Sequence, residues 1–343
     1  MKIRIQILII SILLLGCKSE NLIEKSETIT SFPSVQKLNL KKLKRLDDIS
    51  VDGLQQYNDS VLLIRNSPNT SKFHFSLFNI DKKTRTSNLI ETGRGVNQSM
   101  AFLSYGIYKN DVWVYDIIKN EFISTKMDSS RSNKQLLTNA PEIFYYNIQP
   151  LNNETFLASG DYDSDHWVSI VKTENNEVIK KIAPYPKEIS RAQKNSYESF
   201  LFLNPSRDKA VLAGRFTDRI QIIDLRNNKS IVIKGPKNYQ PKYDVLVRGD
   251  GKEISVRNDQ TKYAFVKGST TKNFIYLLYS GNIHDSSNLH YGKEVYIYNW
   301  EGQPIKKLSL PHYVLDISVK NDDSIIYAYN PKNKSLEFSK ISL

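Results

Sequence analysis

The chain has 343 residues, 40% of them hydrophobic, with 20 Tyr and 14 Phe. That is enough apolar surface for a large core, and no long amphipathic helix stands out, so many short, half-buried strands are expected. A single cysteine excludes a disulfide framework. The net charge of +12 comes from scattered lysines with no compact basic tract, so the expectation is a solvated surface and no nucleic-acid partner.

Lys2 and Arg4 precede an apolar run from Ile7 to Leu15, broken only by Ser11. A permanent membrane helix needs about 20 residues, so the run reads as an export signal. Its ending, Leu14-Leu15-Gly16-Cys17, resembles the bacterial lipobox, and Leu15 is bulkier than is usual there. The resemblance implies a signal peptide over residues 1–16 and diacylglycerol on the Cys17 thiol. The new amine would then take a further acyl chain such as palmitate, and several chains give a stable membrane anchor. Lys18-Ser19-Glu20 is not the Asp that often follows the cysteine in lipoproteins kept at the inner membrane, which points to the outer membrane. Residues 17–35 then read as lipidated cysteine and flexible tether, spanning roughly 25 Å.

The propeller domain is expected over residues 36–343. Within it a strand-ending pair, usually closed by Asn or Asp and followed by a polar turn, recurs at six places. These are Phe78-Asn79, Tyr115-Asp116, Val171-Lys172, Ile223-Asp224, Tyr298-Asn299 and Tyr329-Asn330. The intervals of 37, 56, 52, 75 and 31 residues average to the size of a β-propeller blade, and their irregularity reads as loop insertions, chiefly around 236–262. The clearest unit is a meander of three strands: Phe274 to Tyr279, Glu294 to Asn299 and, after a turn with Gly302, Pro304 to Leu310. The last unit has only three strands before the chain stops, at Val314 to Val319, Ser324 to Tyr329 and Leu336 to Ile341. Gln36 to Leu46 is therefore expected to supply the missing outer strand. The fold class is all-β, a six-bladed β-propeller whose ring is closed by an N-terminal strand joining the last blade.

Ile275 to Gly281, Val295 to Gly302 and Leu315 to Tyr329 together resemble the TolB-like six-bladed propeller lipoproteins of Gram-negative envelopes, most strongly over residues 200–343. The resemblance implies this fold and an envelope location, and it carries no active-site residues to transfer. Gly93-Arg94-Gly95 falls where such propellers cross between the first two blades, and Val96-Asn97-Gln98 departs from the Pro or acidic residues expected to follow.

Chemical motifs are sparse. Asp161-Tyr162-Asp163-Ser164-Asp165-His166 begins like a calcium loop, but His166 stands at the sixth position where Gly is needed and Lys172 at the twelfth where Glu is needed. A polar loop of the third blade is the expected reading. His284, Asp285 and His290 could meet a metal, but their Ser/Asn-rich loop sets no geometry. No metal and no cofactor are expected. Signatures of a nucleophile elbow, zincin, phosphate loop and dinucleotide fold are missing. Candidate inner strands at Ala101 to Tyr105, Phe144 to Ile148, Ser199 to Leu203, Tyr263 to Lys267 and Leu315 to Val319 place Tyr105, Tyr145, Tyr146, Tyr263 and Asp316 near a central channel. Tyr105, Tyr145, Tyr263 and Asp316 are the binding candidates, with blade-to-blade packing as the alternative for the aromatics. The functional expectation is a lipid-anchored binding or scaffolding module for an envelope protein, peptide or glycan. The alternative is a hydrolase or lyase with its site at the channel.

Overall fold

A computed structural model describes residues 25–119, 121–127, 132–136 and 145–343, with residues 132–136 described by their backbone alone. Cys17 and the expected signal peptide lie outside the described residues.

Three strands come first: β1 (Lys25–Thr28), β2 (Val35–Lys37) and β3 (Lys41–Arg45). Blade 1 follows as β4 (Val51–Asn58), β5 (Val61–Asn66), β6 (Phe73–Asn79) and β7 (Thr84–Glu91), and blade 2 as β8 (Phe102–Tyr108), β9 (Asp111–Asp116), β10 (Glu121–Lys126) and β11 (Ser132–Leu136). Blade 3 is β12 (Asn147–Pro150), β13 (Thr155–Ser159), β14 (His166–Lys172) and β15 (Val178–Pro184), and the helix α1 (Arg191–Ser196) links it to blade 4. Blade 4 is β16 (Ser199–Leu203), β17 (Lys209–Gly214), β18 (Ile220–Asp224) and β19 (Lys229–Lys234). A separate hairpin, β20 (Asp244–Val247) and β21 (Glu253–Val256), leads to blade 5: β22 (Phe265–Thr270), β23 (Phe274–Tyr279), β24 (Gly292–Asn299) and β25 (Pro304–Val314). Blade 6 is β26 (Asp316–Val319), β27 (Ile325–Asn330) and β28 (Ser335–Lys340). The inner strands neighbour one another in the cyclic order β4, β8, β12, β16, β22, β26 and back to β4, which closes the ring.

The ring follows from two-sided strands. Successive side chains of a strand point to opposite faces, and each face here is apolar. In β5, Leu62 and Ile64 pack toward blade 6 while Leu63 packs toward blade 2. In β9, Val112 and Val114 face blade 1, and Trp113 and Tyr115 face blade 3. In β23, Ile275, Leu277 and Tyr279 face blade 4, and Tyr276 and Leu278 face blade 6. Among the described residues the buried apolar side chains fall into six clusters, one at each junction between adjacent blades. No blade could keep both faces dry alone.

The recurring Asn or Asp has a local cause. Asn79 Oδ1 accepts from Lys82 N at 2.8 Å, Asp224 Oδ1 from Arg226 N at 2.9 Å, Asn299 Oδ1 from Gln303 N at 2.8 Å and Asn330 Oδ1 from Lys332 N at 3.1 Å. Each side chain folds the turn that follows its strand. The turns then pass through the left-handed region at Lys83, Asn176, Asn228, Gly302 and Lys334. The uneven intervals have a second source besides insertions. In blades 1, 3, 4 and 5 the marked turn joins the third and fourth strands, whereas in blades 2 and 6 it joins the second and third. Switching between the two kinds shortens one interval and lengthens the next. The hairpin β20–β21 accounts for the longest.

β3 pairs antiparallel with β28, Arg45 opposite Ser335, and completes blade 6; of the expected closing segment Gln36 to Leu46, Lys41–Arg45 does this, whereas Gln36 and Lys37 pair with blade 5. The tether expected over 17–35 requires correction in its described part, residues 25–35. β1 adds to β19 in parallel as a fifth strand of blade 4, and β2 adds to β25 in parallel as a fifth strand of blade 5. Phe32 fixes the segment between them, its ring 4.8 Å from that of Tyr296 and 5.4 Å from that of Tyr298. The physical reason is that the outer edges of blades 4 and 5 carry unpaired backbone groups, and this strap satisfies them.

Candidate functional site

All six inner strands contribute to a central channel holding a cavity of about 640 Å³. The innermost edge of a blade would leave backbone groups without strand partners, and side chains of an adjacent blade's inner strand supply several of them. Asp316 Oδ2 accepts from Leu54 N at 2.8 Å and Ser318 Oγ from Gln56 N at 2.7 Å, stapling blade 6 to blade 1. Ser104 Oγ accepts from Ile148 N at 2.9 Å and Ser269 Oγ from Val319 N at 3.1 Å. Asn147 Nδ2 donates to Ser199 O at 2.8 Å, and Thr270 Oγ1 donates to Leu203 O at 2.7 Å. The short polar residues among the apolar ones in these strands are thus part of the ring.

The charged groups lining the cavity are Arg65, Lys109, Arg207 and Lys267 against the one carboxylate of Asp316. At the lower end, where the inner strands finish, Arg207 reaches across from blade 4. Its guanidinium donates to Pro150 O and, at 3.0 Å, to Ile107 O, and lies 4.4 Å from the Tyr108 ring centroid. One side chain therefore ties blades 2, 3 and 4 beneath the cavity.

The upper end, where the inner strands begin, is built around Gly53. A Cβ at Gly53 would sit on the Tyr105 hydroxyl, 3.3 Å from Arg65 Cβ and 3.3 Å from Asp316 Oδ2. Glycine is required there because three side chains converge on its bare backbone. The Arg65 guanidinium carbon lies 4.7 Å from the Phe102 ring centroid and 5.1 Å from that of Tyr105. Lys267 Nζ donates to Asp52 O at 3.0 Å and stands 3.9 Å from Asp316 Oδ2. Asp316 is only 3% exposed; its burial raises its pKa, against the pull of Lys267, the Leu54 and Ile317 amides and Arg65.

Of the four binding candidates from sequence, Tyr105 and Asp316 meet at this upper end, and the other two lie elsewhere. Tyr145 is buried between blades 2 and 3 against Phe156, and burial pushes its hydroxyl pKa up to about 12. Tyr263 precedes β22, is buried against Phe216 and accepts a hydrogen bond from Arg257 Nη1 at 3.0 Å. Asp316 faces the backbone of blade 1, with both carboxylate oxygens accepting amide hydrogens. Sequence reasoning did not single out Arg65, Arg207, Lys267 or Gly53. The sequence does not mark β4 as the innermost strand of blade 1, so Gly53 and its cross-strand partner Arg65 have no visible relation to the channel there.

The other suspected sites are engaged within the protein. Asp163 takes Arg191 Nε at 2.7 Å and Lys252 Nζ at 2.6 Å, and Asp165 takes Lys181 Nζ at 2.8 Å and His166 Nδ1 at 2.8 Å. The β13–β14 loop is therefore a clasp for α1 and the β20–β21 hairpin. His284 and His290 pack on the Tyr263 ring at 6.1 and 5.4 Å between centroids.

Residues 54–322 match the family described as TolB-like 6-blade propeller-like. No curated protein matches the sequence. Among solved structures, a putative exported protein from Bacteroides fragilis is similar at 11% identity and a TM-score of 0.55, over 94% of this chain and 99% of that one. The structure of U3-55K is similar at 10% identity and a TM-score of 0.50, over 88% and 98%. The β-propeller domain of Cps50 (Swd1) from Myceliophteria thermophila is 11% identical with a TM-score of 0.49, over 89% and 100%.

Proposed function

Since the chain belongs to the TolB-like six-bladed propeller family, we propose that it is an exported, lipid-tethered binding module of the bacterial envelope that holds its ligand in the central channel. The observation that carries the reading is the cavity of about 640 Å³, walled by all six blades. That volume lies in the range of small-molecule sites, roughly 300–1,000 Å³. Its wall combines Tyr and Phe faces with four basic side chains, a surface for recognition. A neutral plug tests it. Gln55 of β4 lines the cavity, its Oε1 3.5 Å from the position of a Cβ on Gly106 of β8. Gln55→Trp should abolish retention of ligands from glycan and peptide arrays; equal retention by the plugged and native proteins would count against the channel.

The proposed anchor is Cys17, and the strap bears on which face it would approach. Seven residues lie between Cys17 and Lys25, so the eight steps of chain reach at most about 29 Å. β1 runs parallel to β19, the fourth strand of its blade, so the chain joins blade 4 from the lower side. A bilayer holding Cys17 would then lie toward the lower face, leaving the upper mouth turned away. The Bacteroides fragilis structure of the same fold, described as a putative exported protein, accords with an envelope address. Cys17→Ala is expected to move the protein from the membrane fraction to the soluble one; persistent sedimentation with membranes would refute the anchor.

A further inference from the structure

We propose that the upper end of the channel is an oxyanion subsite, in which the Arg65 guanidinium and the Tyr105 hydroxyl, with Lys267 beside them, take the carboxylate or phosphate of an organic ligand. The proposal rests on the channel being the binding site and names the chemistry it selects.

Three observations carry it. Arg65 is half-buried, and its guanidinium carbon is held over the Phe102 and Tyr105 rings, 4.7 and 5.1 Å from their centroids. Among the described residues its N–H groups donate to no acceptor, nor does the Tyr105 hydroxyl. Donors held in place by packing and left without acceptors in a partly desolvated wall are matched to an incoming acceptor, and a planar guanidinium fork suits a carboxylate or phosphate. The second observation is charge. Asp316, the single acid in the lining, already accepts from the Leu54 and Ile317 amides and cannot neutralise both Arg65 and Lys267. The third is Gly53. The absent side chain leaves the Tyr105 hydroxyl room at a point where a Cβ would also lie 3.3 Å from Arg65 Cβ and from Asp316 Oδ2. Below the cluster, Tyr57, Tyr108 and Phe202 supply aromatic wall for the body of an organic ligand.

The test is isothermal titration of the detergent-solubilised protein at low ionic strength with two probes, inorganic phosphate and D-glucuronate. Binding of at least one is expected, weakened tenfold or more by Arg65→Gln and unchanged by Lys82→Gln, an exposed lysine outside the cavity. Binding of phosphate alone assigns a phosphorylated ligand, and of glucuronate alone a carboxylate. Tyr105→Phe keeps the ring that Arg65 stacks on and removes only the hydroxyl; it should weaken binding several-fold with an unchanged melting temperature, and it carries the test if Arg65→Gln does not fold. Arg65→Lys should recover part of the loss, since it keeps charge without the fork. Failure of both probes to bind the native protein, or equal affinity in the native, Arg65→Gln and Tyr105→Phe proteins, overturns the subsite. If array ligands are lost in Gln55→Trp but kept in Arg65→Gln, the channel stands and the oxyanion site falls; if neither variant affects them, the channel reading falls as well.

Discussion

A chain beginning at Leu46, lacking β1, β2 and β3, is expected to lose the cooperative fold. Without β3 the outer edge of β28 has no partner over Ser335 to Phe338, and Leu38, 7% exposed and packed at the junction of blades 5 and 6, is gone with it. A buried Leu contributes roughly 1.5–3 kcal/mol and each ladder hydrogen bond roughly 0.5–1.5. With about four ladder bonds these come to roughly 3.5–9 kcal/mol, comparable to the 5–15 that holds a typical domain together. The freed strand edge also invites association between molecules. A chain beginning at Leu38 is the control, because it loses β1, β2 and Phe32 but keeps the closing strand; it should melt several degrees lower and remain monomeric. Thermal unfolding and size exclusion distinguish the two. If the chain starting at Leu46 melted with the full protein, the closing role of β3 would be refuted.

The second large effect is expected at Asp316. Its carboxylate takes the Leu54 amide across the seam where the ring closes and the Ile317 amide of its own strand. Asp316→Ala strands both, at about 1–3 kcal/mol for each buried amide left unpaired. Asp316→Asn retains an acceptor for Leu54 and should lose less. The pH dependence has a definite sign. Burial raises the folded pKa of Asp316 above the ordinary carboxylate value, so the folded protein binds this proton more tightly than the unfolded chain. The stabilisation it brings is complete below the unfolded pKa and is lost as pH rises through the folded one. Native protein minus Asp316→Asn, measured by urea unfolding, should therefore decline from pH 4 upward until Asp316 is fully ionised. A difference that grew with pH would contradict the burial of this group.

Much of the architecture could be read from local chemistry. The Asn and Asp residues that close strands act within a few positions of themselves, so Asn79, Asp224, Asn299 and Asn330 marked blades from sequence alone. The closing strand was legible because the last unit lacked a fourth strand and Leu38, Leu43 and Leu46 had to be buried somewhere. The strap was not. Its parallel pairing to β19 and β25 joins residues about 200 and 270 positions apart through backbone groups, leaving only Ile29 and Phe32 as side-chain evidence. The site was half visible for a similar reason. Tyr105 and Asp316 sit on inner strands that alternate recognisably, but Arg65 lies on a second strand and reaches the channel only because its cross-strand partner is Gly53. The importance of Gly53 depends on what approaches it from blades 2 and 6, which no local pattern encodes.

Native-state hydrogen exchange tests the ring and its channel wall together. The amides of Leu54, Gln56, Ile148 and Val319 face inward from strand edges and are held by Asp316, Ser318, Ser104 and Ser269 of neighbouring blades. These four, with the paired amides of Lys41–Arg45, should exchange only through global unfolding, at the rate of the central strands β5 and β23. Exchange within seconds at Leu54 and across β3, while the central strands stay protected, would show an open ring whose inner edges are solvated, and the channel described above would not exist.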